Sequence, residues 1–413
     1  MKHTAVVGPT ATPTPNPAVA SACVPSGAMA VDVNATNGQV SVYAPAGDWD
    51  SSTTGVFLVP VEAGGVIGAG VTRATVATAN PVNSCSANSA TGRIICSANN
   101  HDAYLIDRTT LTAFTLTSAG VGTQSFSGGS CTNCNAIADP VMDLGIIGIA
   151  GTPAGYQFFN LSSGLSDGVV GVPGSGSVLS ESPAIEPAKH LLLSANEDQD
   201  FQIINFSTTA PGGFRYAQRS TVLAESELDG TAIDCTTDIA LAADEFNNQV
   251  FVTDLTQATF TPGSGATFGT WDAPAQLQPT PGLLGITTTG LAVAPSGHVG
   301  IMQQEFGTNN FAAFSLPATS GTGTPGLTDW VAALVPTQPD KVTWSNTFDP
   351  HGLTAYTSPT TGSPMGVLLN AARTFILVID INKLLAAPRT GAHTVQASYD
   401  LVANGVVTFV SVH

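Results

Sequence analysis

The sequence predicts an all-β fold, a β-propeller of seven four-stranded blades, on three observations. One unit occurs twice: an apolar run, Ser-Ala-Asn, a polar turn and a second apolar run, in GRIICSANNHDAYLID (92–107) and KHLLLSANEDQDFQIINF (189–206). Weaker copies follow one another at steps of about 53 residues, a spacing typical of propeller blades. Charged residues make up only 10% of the chain, against 43 Gly and 27 Pro, which favours short strands and turns over exposed helices.

Each copy contains an inner, a middle and an outer apolar segment. The first segments are AMAVD (28–32), NSCSA (83–87), AIADP (136–140), PAIEP (183–187), DIALA (238–242), LAVAP (291–295) and LTAYT (353–357). The third segments are GVFLVPV (55–61), AYLIDR (103–108), YQFFNL (156–161), FQIINF (201–206), QVFVTDL (249–255, with an ambiguity of one segment), FAAFSL (311–316) and FILVIDI (375–381). One blade cannot bury both of its faces alone, so it must stack against like neighbours. Small residues suit the strands that crowd the axis, and bulky residues suit the contacts between blades.

Two other architectures fit the strand pattern less well. A solenoid or two β-sandwiches would also show regular short strands, but a sandwich would not retain one motif seven times. The Pro/Thr-rich segment 1–22 is predicted to be flexible, and 23–413 to form a single propeller domain. The C-terminal segment 405–412 is a candidate for closing the ring against the N-terminal blade.

The best copies resemble blades of the YVTN/NHL-type propellers, in which an apolar pair precedes Ala-Asn, a polar turn and an apolar strand ending in Asp. Residues 94–107 match best, and residues 192–204 and DPHGLTAY (349–356) follow. The other blades depart from this pattern, and the fifth lacks the Ala-Asn turn. The resemblance implies a seven-bladed fold and carries no function with it.

Charge and hydropathy exclude several classes of partner. A net charge of −18 without any Lys/Arg run argues against nucleic acid and anionic membrane surfaces. No apolar stretch reaches the roughly 18–20 residues needed for a membrane span, and the N-terminus shows no apolar core of a signal peptide. The even set of six cysteines nevertheless predicts a secreted, periplasmic or cell-surface protein. We expect a monomer.

The cysteines are expected to form three disulfides, although the sequence alone does not choose among the possible pairings. Cys85 and Cys96 are the best pair, because they lie on neighbouring strands of one predicted hairpin. Cys131 and Cys134 form a lone CxxC, for which a structural disulfide is favoured over a zinc or redox site. Cys23 and Cys235 complete the set.

Geometry predicts which loops gather at the central channel. In a propeller, the start of each inner strand and each turn between second and third strands open on one face. Many of the chain's acids fall at such positions, and converging carboxylates need a cation or a donor. The predicted binding residues are His101, Asp102, Asp198, Asp234, Asp238, Glu305, Asp349 and Arg373. Glu181, Glu197 and His351 are candidate ligands of a divalent metal, Ca²⁺ or Mg²⁺ before Zn²⁺ or Mn²⁺.

Two functions remain open, and whether the protein is an enzyme stays undecided. The first is a binding scaffold that presents its channel-mouth loops to a protein, glycan or small molecule. It is favoured because the chain contains no GxSxG, HExxH or GxxxxGK[ST] motif. The second is a metal-dependent, lactonase-like hydrolase or lyase at the channel mouth, with His351 and Glu197 as catalytic residues.

Overall fold

The computed structural model describes a large part of the chain, mainly strands and the turns on one face. The described residues are 24, 27–47, 52–68, 73–98, 102–116, 135–149, 154–172, 182–196, 200–206, 215–219, 228–244, 247, 249–261, 269–279, 288–304, 310–321, 323–334, 336 and 348–412. Among them no helix has the length and apolar character that would let it cross a membrane.

Seven small sheets form a ring, which confirms the predicted seven-bladed propeller. Blades 1 to 3 contain β1 (Ala30–Asn34), β2 (Gln39–Pro45), β3 (Val56–Ala63), β4 (Val66–Ile67), β5 (Ala74–Val76); β6 (Val82–Asn88), β7 (Arg93–Ala98), β8 (Ala103–Asp107), β9 (Ala113–Leu116); and β10 (Ala136–Asp139), β11 (Leu144–Ile149), β12 (Ala154–Asn160), β13 (Ser166–Val172). Blades 4 and 5 contain β14 (Ala184–Glu186), β15 (Leu191–Asn196), β16 (Asp200–Asn205), β17 (Arg215–Arg219), with β21 (Thr259–Thr261) and β22 (Gly269–Asp272); and β18 (Leu228–Asp234), β19 (Ile239–Asp244), β20 (Gln249–Asp254), β23 (Ala275–Pro279). Blades 6 and 7 contain β24 (Thr288–Val293), β25 (Val299–Gln304), β26 (Asn310–Ser315), β27 (Asp329–Leu334), with β31 (Arg389–Thr390) and β32 (Thr394–Val395); and β28 (Phe348–Thr357), β29 (Pro364–Asn370), β30 (Phe375–Asp380), β33 (Val407–Ser411).

The core lies between blades, as expected for sheets that cannot bury their faces alone. Each of the seven hydrophobic clusters joins two neighbouring blades. The cluster that contains Val31, Val59, Tyr356 and Val378 joins blade 7 to blade 1, so the ring is closed by packing of apolar side chains.

The C-terminal segment is the fourth strand of blade 7. β33 pairs antiparallel with β30 of the same blade, and Val410 belongs to the apolar cluster shared with blade 1. Arg73 Nη1 of blade 1 also lies 3.5 Å from Ser411 Oγ. The segment therefore supports ring closure through side chains and not by pairing with a strand of the N-terminal blade.

Blades 5 and 7 each send an excursion to the preceding blade between their third and fourth strands. β22 pairs in parallel with β17 of blade 4, and β32 pairs in parallel with β27 of blade 6. The second excursion begins with the helix α1 (Ile381–Leu385). Its hairpin is attached by Arg389, whose Nη2 lies 2.6 Å from Asp329 Oδ2, and by His393, whose ring stacks on Trp330 at 4.2 Å.

One predicted disulfide is present among the described residues. Cys85 and Cys96 are direct partners across β6 and β7 and are bonded, with both side chains buried. Cys235 is also disulfide-bonded. Cys23, Cys131 and Cys134 lie outside the described residues, so the remaining pairings stay predictions.

Candidate functional site

The ring has two unlike faces, which we name by their connections. The mouth face is the one where the first strands begin and where the second strands connect to the third. The turn face is the opposite one, where each first strand turns into the second. Of the predicted site residues, His101, Glu181, Glu197, Asp198 and Glu305 lie outside the described residues. The backbone of Asp349 and His351 belongs to β28, the first strand of blade 7.

Asp102 lies on the mouth face, immediately before β8. Its carboxylate accepts a hydrogen bond from the side-chain amide of Asn80, and its carbonyl accepts one from Ala98 N at 3.0 Å. Asn80 belongs to the connection that leads into the first strand of the same blade. The side chain is half-buried, so it retains access to solvent at the rim.

Arg373 lies on the mouth face, but its side chain is buried and directed at blade 1. It sits in the turn between β29 and β30 with a left-handed φ of 54°, and its side chain is buried. Its Nη1 donates to the carbonyl of Pro45 at the end of β2, at 2.8 Å. Arg373 therefore links blade 7 to blade 1 on this face.

The placement of Asp234 and Asp238 on the mouth face was wrong. The apolar pattern predicts that segment 238–242 is the first strand of blade 5, but residues 239–242 belong to β19, the second strand, and β18 precedes it. Asp234 and Asp238 consequently begin and end the turn between these strands, on the turn face. Both β18 and β19 are buried throughout, so their apolar patterns do not distinguish a first strand from a second.

The turn face repeats one local structure seven times. Each turn ends in a residue with left-handed φ immediately before, or one residue before, the second strand; these residues are Gly38, Gly92, Asp143, His190, Asp238, His298 and Gly362, with φ between 52° and 71°. In most turns the first residue is Asn, Asp, Glu or Ser, and its side-chain oxygen accepts a backbone N–H within the turn. The sequence signal is such a residue four positions before Gly, Asp or His, as in NATNG (34–38) and DCTTD (234–238), and our sequence reasoning missed it.

The left-handed residues of blades 3 to 6 contact the preceding blade. Asp143 Oδ1 accepts from Asn88 Nδ2 of blade 2 at 3.0 Å, and His190 Nδ1 lies 3.9 Å from Asp139 Oδ2 of blade 3. Asp238 Oδ2 lies 2.5 Å from Lys189 Nζ of blade 4. His298 Nδ1 lies 2.7 Å from Asp234 Oδ2 of blade 5. Asp and His adopt left-handed φ more readily than most residues, and in these four blades they also contact the preceding blade.

The remaining three blade junctions are also bridged on the turn face. Arg108 Nη1 of blade 2 binds both carboxylate oxygens of Asp32 in blade 1, at 2.9 and 3.1 Å. Ser296 of blade 6 and Thr357 of blade 7 share a hydrogen bond of 2.9 Å. Glu62 of blade 1 accepts hydrogen bonds from two hydroxyl groups of blade 7. Among the described residues, six of the seven junctions therefore carry a hydrogen bond or an ion pair on this face. At the junction of blades 3 and 4, His190 Nδ1 and Asp139 Oδ2 lie beyond hydrogen-bond distance.

The pKa values of two carboxyl groups on the turn face, Glu186 and Asp234, are shifted in opposite directions. Burial, together with the charges of Asp238 and Asp234, raises the pKa of Glu186 to about 7, against a lesser opposing effect of Lys189. Burial also acts to raise the pKa of Asp234, but hydrogen bonds from Thr236 and His298 outweigh it and leave that pKa below its ordinary value. Within the described ranges, no three His, Cys, Asp or Glu side chains come together as metal ligands would.

No protein-family model matches the chain, and no curated protein matches it by sequence.

Proposed function

We propose that this protein is a binding scaffold of an oxidising compartment and that it holds its ligand on the mouth face. The contrast between the two faces carries this proposal. On the turn face, all seven turns end in a residue with left-handed φ, and six of the seven junctions carry a hydrogen bond or an ion pair. The connections into the first strands, whose ends lie on the mouth face, range in length from five residues (77–81) to nineteen (117–135). Function in such folds belongs to variable loops on a rigid frame.

The class of ligand follows from charge and surroundings. The net charge of −18 disfavours nucleic acid, which leaves a protein, a glycan or a small molecule. The buried disulfide between Cys85 and Cys96 supports an exported location, because disulfides persist in oxidising compartments. We further propose that the chain is a monomer and that its repeats are of the YVTN/NHL type.

The test compares two aspartates that flank the same strand on opposite faces. Asp102 precedes β8 on the mouth face, and Asp107 ends β8 on the turn face. An array of defined glycans and a panel of surface polymers would be probed with the wild type, Asp102→Asn and Asp107→Asn. We expect Asp102→Asn to weaken binding about tenfold, which corresponds to about 1.4 kcal/mol, and Asp107→Asn to leave it unchanged. Equal loss in both variants would overturn the proposal, and no saturable binding of any probe would overturn a glycan or surface polymer as the ligand.

The metal-dependent hydrolase remains a second candidate because His351 belongs to an axial strand. β28 is the first strand of blade 7 and lies beside the first strands of blades 6 and 1. Elemental analysis of the purified protein and thermal unfolding with EDTA separate the two functions. A stoichiometric divalent ion, a melting temperature lowered by EDTA and a lactonase activity lost in His351→Ala would favour the enzyme.

A further inference from the structure

A cavity lies where the ring closes, between blades 7 and 1 on the turn face. Its volume is about 280 Å³, and its lining combines β3 and the following turn of blade 1 with β29, β30 and β33 of blade 7. A water molecule occupies about 30 Å³ in the liquid, so the cavity has room for a small organic molecule. Its position on the turn face separates it from the mouth face.

The most buried charge in this cavity is the carboxylate of Glu62, which is 1% exposed. Its Oε1 accepts from Ser358 Oγ at 2.7 Å, and its Oε2 accepts from Tyr356 Oη at 3.1 Å. Burial, and then the charge of Glu62, raise the pKa of Tyr356 above its ordinary value, so the phenol stays a donor. A carboxylate can accept about four hydrogen bonds, and the described residues donate two to Glu62.

The charges around the cavity do not balance. Among the residues that the structure describes, no ion pair involves Glu62. Of the lining residues that the structure describes, only Lys383 is a cation, and its Nζ lies 3.1 Å from the carbonyl of Gly405 and 3.6 Å from Asp380 Oδ2. Lys383 is thus directed at Asp380, and Glu62 is left with neutral hydroxyl donors. A buried charge without a counter-charge is costly, so this site favours a cationic ligand.

The rest of the lining indicates an organic cation and not a metal ion. Ile67, Met365 and Val378 offer apolar surface beside the carboxylate, and Thr361 and Ser363 offer hydroxyl oxygens. Calcium takes six to eight oxygen ligands, whereas a primary ammonium group has three donors and a chain that uses apolar surface.

We propose that this cavity binds a small primary alkylammonium compound, with its ammonium group on Glu62 and its chain against Ile67, Met365 and Val378. The hydroxyl groups of Tyr356 and Ser358 hold the carboxylate in place for this contact. The ligand adds a third group to the bridge between blades 7 and 1, and binding therefore also stabilises the closed ring.

Two probes of the same chain length but opposite charge test the proposal on the full-length protein. n-Butylammonium chloride and sodium butyrate would be titrated by calorimetry and by ligand-detected NMR at equal ionic strength. We expect saturable binding of butylammonium at about 1–10 mM, as befits a ligand of five heavy atoms, and none of butyrate. Equal binding of both probes, or of neither, would overturn the proposal.

Variants locate the site. Glu62→Gln keeps the shape and an acceptor oxygen but removes the charge, and we expect it to weaken butylammonium binding at least tenfold. Lys383→Gln removes a like charge from the cavity, and we expect binding to strengthen severalfold. Asp272→Asn removes an exposed acid that is far from the cavity in sequence. We expect this control variant to leave butylammonium binding unchanged. Unchanged binding in Glu62→Gln would refute the site.

Folding of the variants does not limit the test. The Lys383 side chain is 55% exposed, so Lys383→Gln is expected to fold even if Glu62→Gln does not. Weaker binding in Lys383→Gln would contradict an ammonium ligand and would indicate an anion at Lys383 instead.

Discussion

Arg108 lies directly over Gly92, in space that any side chain at position 92 would occupy. A Cβ on Gly92 would approach Cζ and Nε of Arg108 to 2.8 Å, well inside ordinary contact distance. The same guanidinium binds Asp32 of blade 1. Gly92 therefore satisfies two requirements at once, the left-handed φ of 67° that ends its turn and the space for the bridge to the preceding blade.

We predict that Gly92→Ala destabilises the protein by about 2–4 kcal/mol. About 1–2 kcal/mol arises from alanine at left-handed φ, and the rest from displacement of Arg108. The free energy of unfolding would be measured by urea titration. Gly38→Ala is the matched control, because Gly38 has the same φ of 67° and nothing within 4 Å of its Cβ position. Equal losses in the two variants would show that the Arg108 contact contributes nothing.

We predict that Arg108→Met costs about 3–5 kcal/mol, because it leaves a buried carboxylate without its partner. The Asp32 side chain is 1% exposed, and burial raises its pKa in spite of the opposing charge of Arg108. Arg93→Met is the control. Arg93 and Asp107 form an ion pair of 2.8 Å whose side chains are 27% and 22% exposed, and exposed pairs contribute at most about 1 kcal/mol. A small loss of unfolding free energy in Arg108→Met would mean that Asp32 is solvated or neutral.

We predict that Glu186 makes stability fall as the pH rises from about 4.5 to about 7. Its pKa is raised in the folded state from 4.5 to about 7, so in this window the folded protein binds a proton that the unfolded chain has released. The contribution of Glu186 is fully present below pH 4.5 and is lost by about pH 7, on the order of 3 kcal/mol.

Glu186→Gln should remove this dependence. The measurement is the free energy of unfolding of wild type and variant at several pH values, and the quantity compared is the difference between them. Contributions of other titrating groups are present in both proteins and cancel to first order in the difference. A difference that does not change between pH 4.5 and 7 would contradict a buried, neutral Glu186.

We predict that Cys235 is bonded to Cys23. Val24 pairs with Ile185, and Cys235 Sγ lies 3.8 Å from the carbonyl of the same Ile185. Peptide mapping by mass spectrometry without reductant should therefore show the peptide of Cys23 linked to that of Cys235, and Cys131 linked to Cys134. A link from Cys235 to Cys131 or Cys134, or more than one alkylatable thiol, would contradict the prediction.

The apolar pattern predicted the strands well because each blade buries its strands in the same manner. The third segments in all seven blades coincide with the third strands, including 249–255, and the first segments do so in six. The failure in blade 5 has a physical reason. A first and a second strand that are both buried on both faces carry similar apolar runs, and exchanging them moved Asp234 and Asp238 to the opposite face.

The sequence by itself determined the number and order of blades and the pairing of Cys85 with Cys96, because these depend on patterns within about 50 residues of chain. Only the tertiary structure decided which polar groups meet. Asp32 with Arg108, Asp234 with His298 and Glu62 with Ser358 come from different blades, and no local pattern encodes their contact. Ring closure brings them together, because it places the turn of each blade against the turn or strand end of the next.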